Sequence, residues 1–183
     1  LMYRDMRKFL LFLSLIVAMV CKAQTKQELL PVGTMAPDFT VTDSVTGKKL
    51  FSLSELRTQV TADGKVKAGV WVVLDFWASW CPDCRKDMPI VKKIDEKYGK
   101  KIKLIGVSFD TDKAKMNGYL SANQYSWLQY SEFKKWKETQ ISKDYHISWI
   151  PTSYLIDPEG KIAFSTLNAE EMLEKLDSLK AEL

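Results

Sequence analysis

From residue 70 to 76 the chain is apolar at every position except Asp75, the pattern of a central strand buried on both faces. Residues 102–109 read as a second buried strand. Between the two the period changes: Met88, Val91, Ile94 and Tyr98 recur at helical spacing before Gly99, which predicts one helix. Residues 113–123 predict another, and residues 124–150, where no period is clear, are expected to hold a helix somewhere between 133 and 145. Residues 153–156 and 162–165 flank Asp157-Pro158-Glu159-Gly160, a turn sequence suited to a hairpin. Asn168 with Glu171 then caps a last helix carrying Leu173, Leu176 and Leu179 on one face.

Upstream, residues 38–41 and 49–51 alternate like strands around a turn at 44–47, and Ser52 with Glu55 fits a capping box for a short helix. Residues 58–69 are polar, contain Asp63-Gly64 and Gly69, and read as a loop. The order is an α/β sandwich with a mixed central sheet flanked by helices and an N-terminal β-hairpin extension.

The first residues follow different rules. Arg4, Arg7 and Lys8 precede an apolar run over residues 9–20 that only Ser14 interrupts. This run is short for a membrane span, which needs about 20 residues, and Cys21-Lys22-Ala23 places small residues where a signal peptidase cuts. Residues 1–23 are therefore expected to be a signal peptide, residues 24–32 a polar lead-in, and residues 33–183 one domain. A retained signal anchor and a lipoprotein attached through Cys21 are the alternatives, and only they would bring the protein to a membrane. Removing residues 1–23 takes away four basic side chains and one acidic one, so the net charge falls from +4 to +1. Such a balance implies no nucleic-acid partner.

Export leads to a compartment where disulfides persist, yet only Cys81 and Cys84 remain after cleavage. A loop this small would stabilise the fold by roughly 2 kcal/mol, so a structural staple is a poor use of the pair. Cys81-Pro82-Asp83-Cys84 stands where the buried strand gives way to the helix, which puts Cys81 at the exposed helix N-terminus. There the unsatisfied N–H groups and the macrodipole favour the thiolate, the reactive species. Cys84, one turn further in, is expected to be more buried and to resolve a mixed disulfide. With His146 the pair is one ligand short of a structural zinc site, so no metal or other cofactor is expected.

Residues 72–89, VVLDFWASWCPDCRKDMP, closely resemble the thioredoxin superfamily, and specifically its exported TlpA/ResA-like branch. Trp80 before the first cysteine, Pro89 five residues after the second, Ile150-Pro151-Thr152 and the GTMAPDF stretch at 33–39 all carry that resemblance. It implies a thioredoxin-like sandwich and a thiol-disulfide oxidoreductase that exchanges disulfides with exported proteins, served by an upstream redox partner. The lean toward a reductant rests on it as well. It further implies a cis bond before Pro151, which base rates of about 5% for X-Pro bonds would not suggest, with Ile150 pairing to substrate backbone. Trp80, Pro82, Asp83 and Trp149 would border the disulfide. Asp75, costly to bury without a partner, matches a proton acceptor for the second cysteine, although residues 104–107 lack the lysine that thioredoxins place nearby.

Two other readings stay open. A thiol peroxidase also shares the GTMAPDF stretch, but it needs a proline seven and a Thr or Ser three residues before its cysteine, where this chain has Leu74 and Ala78. A non-catalytic binding protein on the same fold would keep the disulfide as a spectator.

Overall fold

The computed structural model describes residues 28–42 and 48–183, and its elements are laid down around one strand. In chain order they are β1 (Thr40–Thr42), β2 (Lys49–Ser52), β3 (Gln59–Val60), β4 (Val66–Lys67), β5 (Trp71–Trp77), α1 (Pro82–Tyr98), β6 (Ile102–Ser108), α2 (Lys113–Ala122), β7 (Leu128–Tyr130), α3 (Gln140–Asp144), β8 (Thr152–Ile156), β9 (Ile162–Thr166) and α4 (Ala169–Ser178). The central sheet runs β7-β6-β5-β8-β9. β6 pairs in parallel with both β5 and β7, whereas β8 is antiparallel to β5 and to β9. This is the mixed sheet that the apolar runs predict. β5 lies at its middle, buried from Val72 to Trp77, because helices cover both faces and a strand apolar on both sides satisfies both.

α1 buries Cys84, Met88, Val91, Ile94 and Tyr98, the helical series visible in the sequence. It is tied to α4 at both ends: Asp87 accepts from the Ala169 N–H at 3.0 Å at the start of α4, while Lys97 and Tyr98 both donate to Asp177 near its end. Pro89 lies within α1 and, having no N–H, cannot donate to the Arg85 carbonyl one turn earlier.

β6 carries one glycine, and its neighbours show why. Gly106 lies between Asp75 of β5 and Gln129 of β7 in the register. A Cβ there would run into the Gln129 carboxamide, whose Oε1 reaches over β6 to accept from Trp77 Nε1 at 3.0 Å.

The N-terminal hairpin of β1 and β2 is present, while its turn at 44–47 and residues 1–23, where a signal peptide is expected, lie outside the described residues. The end of the lead-in joins the fold: Leu30 is buried and its N–H donates to the Tyr154 hydroxyl, and Gly33 N–H donates to the Ile162 carbonyl.

The structure departs from the expected elements at four places. Residues 58–69 are not a bare loop but contain the β3–β4 hairpin, turned at Gly64 with φ +78. β7 went unpredicted because its three residues are each half-buried and show no period. The helix expected between 133 and 145 is divided into a 3-10 turn, Trp136–Glu138, and α3. The Ser52 side chain bonds Thr40 rather than capping, and Asp38 takes the Ser54 N–H at 2.8 Å instead.

Gly106→Ala is expected to displace Gln129 and leave Trp77 Nε1 buried without its acceptor. Urea unfolding should show a loss of about 1–3 kcal/mol with an unchanged m-value.

Candidate active site

The last buried residues of β5 give way within four positions to α1, and that junction has to be held outside regular structure. Asp110, two residues beyond β6, holds it: its carboxylate accepts from Ser79 N–H at 2.9 Å, Ser79 Oγ at 2.6 Å and Ser108 Oγ at 2.7 Å. Phe109 N–H donates to the Trp77 carbonyl at 2.9 Å and closes the same junction from the backbone. A buried carboxylate is tolerable here because three donors replace its water.

Cys81 is the N-cap of α1, with Pro82 at the first helical position, where a residue without an N–H fits. The Cys84 N–H points at Cys81 Sγ, 3.2 Å away, a donor placed to stabilise negative charge on that sulfur. The two cysteines form a disulfide with Cα atoms 5.3 Å apart. Cys81 was expected at an exposed helix end, but in this oxidised form it is 5% exposed against 1% for Cys84. The difference in burial has the expected sign and is small.

The Ile150–Pro151 peptide is cis, and the Ile150 carbonyl oxygen lies 3.6 Å from Cys81 Sγ. A groove of about 190 Å³ opens over the sulfur between Trp80, Pro82, Trp136, Trp149 and Ile150, with Asp83 on its border. Trp80 is 56% exposed and Trp149 55%, so both stand at the surface rather than in the core. Asp83 points to solvent and pairs with Lys86 at 3.0 Å. The resemblance-based set of Trp80, Cys81, Pro82, Asp83, Trp149 and Ile150 therefore shares one concave surface, with Pro151 next to it in the chain.

Asp75 lies deeper, mid-way along β5, opposite Gly106 on one side and Ser153 on the other. Ser153 Oγ donates to it at 3.0 Å. Burial raises its pKa, Ser153 opposes that, and the nearby Asp87 charge adds to it, so the carboxyl is pushed up to about 7. The neighbouring strands supply Gly106 and Ser153 at its level, consistent with the missing lysine.

Comparison with known proteins gives this geometry its family. A family profile described as thioredoxin-like matches residues 69–162, which hold both cysteines and Pro151. The chain belongs to the thioredoxin-like family. It is 32% identical over 178 residues to the thiol-disulfide oxidoreductase ResA of Bacillus thuringiensis subsp. konkukian, covering 92% of each chain. It is 32% identical to the thioredoxin-like protein YneN of Bacillus subtilis, over 79% of this chain and 78% of that one. Among solved structures, a thiol-disulfide oxidoreductase from Bacteroides fragilis superposes with a TM-score of 0.64 at 28% identity, covering 80% of this chain and 99% of the other. The thioredoxin domain of a thiol-disulfide oxidoreductase from Bacteroides vulgatus gives a TM-score of 0.65 at 26% identity, over 82% and 98%. The protein is a thiol-disulfide oxidoreductase of thioredoxin-like fold, related to the ResA group.

Four contributors to this thioredoxin-like site escaped the sequence. Asp110 and Ser79 are 31 residues apart, and nothing local announces that pairing; the one signal is a polar residue directly after an apolar strand. Trp136, a wall of the groove, sits in the stretch without a period. Ser153, the donor to Asp75, becomes visible only through the β5–β8 register. Among the described residues no three His, Cys, Asp or Glu side chains are grouped to hold a metal ion.

An acid whose carboxyl is raised from 3.8 in the unfolded chain to about 7 in the fold binds its proton more tightly when folded. The contribution of Asp75 to wild-type stability therefore falls as pH rises between those values, by up to about 4 kcal/mol, and levels off once pH passes the folded value. Asp75→Asn removes this dependence, so its stability relative to wild type should climb from pH 4 to pH 7 in urea melts. A difference that stays flat with pH would show that Asp75 is solvated.

Proposed function

We propose that this protein is an exported reductant of protein disulfides, working through the Cys81–Cys84 dithiol. The observation that carries the reading is the groove over Cys81 Sγ, where a carbonyl acceptor at Ile150 and the apolar faces of Trp80 and Trp149 present one side to an extended chain. An extended segment docking there would pair its backbone with Ile150 and lay its cysteine against Cys81.

The exchange balances as follows. The Cys81 thiolate attacks one sulfur of a client disulfide; a Cys81–client bond forms, the client S–S bond breaks, and one client sulfur leaves as thiolate. Cys84, deprotonated by Asp75, then attacks Cys81 Sγ and expels the second client sulfur. Two electrons pass to the client, which gains two thiols, and the protein is left with the disulfide seen here. A dithiol partner upstream restores it by the reverse chemistry. Asp75 suits its task because a carboxyl poised near pH 7 takes and gives protons under working conditions. Pro82, Asp83 and Pro151 complete the surface that receives the client.

The N-terminal pattern supports export: residues 1–23 act as the signal peptide, and residues 33–183 as the working domain in an extracytoplasmic compartment. Among the described residues no helix is long and apolar enough to cross a membrane.

Cys84→Ser keeps the attacking sulfur and loses the resolving one, so it should hold clients as mixed disulfides on non-reducing gels, while Cys81→Ser should hold almost none. Mass spectrometry of the trapped species identifies the clients. Equal trapping by both, together with a wild type inert toward insulin disulfides, would leave a spectator disulfide on a binding protein.

Asp75→Asn should slow release of the client by about 10²-fold or more while leaving the first attack nearly unchanged. Stopped-flow measurement of the two steps decides this, and equal slowing of both would remove Asp75 from the proton path.

A further inference from the structure

The groove over the disulfide does not end at Trp149. Trp136 and Trp149 are shared walls, and on their far side a second hollow of about 600 Å³ opens, lined by Lys137, Lys143, His146 and Ser148. No acidic side chain lines it. The acids next in sequence are engaged elsewhere: Asp144 accepts from Gln140 Nε2 at 2.7 Å, and Glu138 faces Lys135 at 3.9 Å. Among the described residues neither Lys137 nor Lys143 has an ion-pair partner. Two exposed ammonium groups and an imidazole thus line a hollow that shares its Trp136 and Trp149 walls with the groove in which the client's cysteine would lie.

His146 adds a second observation. It follows the last turn of α3, and its N–H donates to the Lys143 carbonyl at 3.2 Å while Ile147 N–H donates to the Ser142 carbonyl at 2.8 Å. That pair of bonds is the Schellman ending, whose penultimate position favours glycine because the backbone is left-handed there. This chain has histidine at φ +52. A glycine would serve the turn at least as well, and it would leave the hollow without its ring.

Building on the reductant reading, we propose that this hollow recognises a carboxylate of the client: the preferred substrates are protein segments carrying Asp or Glu within a few residues of the reactive cysteine, on the side that runs past Trp149. The tryptophans take the apolar stem of the segment, and Lys137, Lys143 and His146 take the acid. Electrostatic pairing of this exposed kind adds a few-fold to rate and selectivity rather than deciding whether reaction occurs.

Three peptide disulfides of one sequence, differing only in Glu, Gln or Lys beside the cysteine, test it. The reduced wild type should reduce the Glu peptide about three- to tenfold faster than the Gln peptide, judged by kcat/KM at low salt, with the Lys peptide slowest. The Glu-to-Gln ratio should fall toward one as salt rises, and also in the Lys137→Gln/Lys143→Gln double variant. His146→Gly, which suits the helix ending and should fold at least as stably, is expected to lower the ratio too. In parallel, the same peptides with Ser in place of Cys are titrated by tryptophan fluorescence, which reads the groove without exchange. Tighter binding of the Glu form supports the acidic preference even if no peptide is reduced, a result that would instead defeat the reductant reading. Equal affinities together with equal reduction rates for the Glu and Gln peptides would overturn the proposal and leave the exchange function standing.

Discussion

The whole site depends on how a strand buried on both faces is brought out of the core. β5 cannot continue past Trp77 without leaving its apolar surroundings, and the chain has only residues 78–80 in which to reach the cap of α1. Burial of β5 fixes where this turn begins, and the packed face of α1 fixes where it ends. Asp110 supplies what neither end provides, three hydrogen bonds that seat Ser79 and Ser108 around one carboxylate. Trp80 and Cys81 inherit their positions from that seat. The cysteine pair is therefore placed by packing on both sides and by a polar clasp between them.

Asp75 and Asp110 show how the same side chain is put to different uses by the donors around it. Both are almost fully buried. Asp110 meets donors on each oxygen and stabilises a turn. Asp75 has the Ser153 hydroxyl against full burial and the charge of Asp87, and the uncompensated part of that burial appears as a raised affinity for a proton. A second partner for Asp75 would bring its carboxyl back toward the ordinary carboxylate range, and the raised proton affinity on which the proposed relay to Cys84 depends would be lost.

Much of this was legible in the sequence wherever the signal was local. The runs at 70–76 and 102–109, the Met88-to-Tyr98 spacing and the Asp157–Gly160 turn each specify an element through neighbouring residues, and the cysteine pair declares its place at a strand-to-helix junction. The cis bond before Pro151 was reached through family resemblance, since its local chemistry favours trans. What stayed hidden was assembled from distant segments. β7 pairs on one side only and is half-buried, so it carries no period, and the groove needs Trp80, Trp136 and Trp149 from three parts of the chain. Whether a tryptophan packs inward or stands at a rim is decided by such partners rather than by the residues beside it.

The β3–β4 hairpin has a neck and a free tip. Thr58 N–H bonds the Pro158 carbonyl, Gly69 N–H bonds Thr58 Oγ1 and Val70 N–H bonds the Leu56 carbonyl, so the two ends of the excursion are clamped together. Val60 and Val66 beyond them are largely exposed. This excursion enters β5 at Trp71, the end of the strand remote from Cys81. Because the ends are already closed, lengthening the tip adds loop entropy only logarithmically. The hairpin is thus a natural place to graft a fluorophore, an affinity tag or a second domain onto an oxidoreductase without touching the chemistry at its other pole.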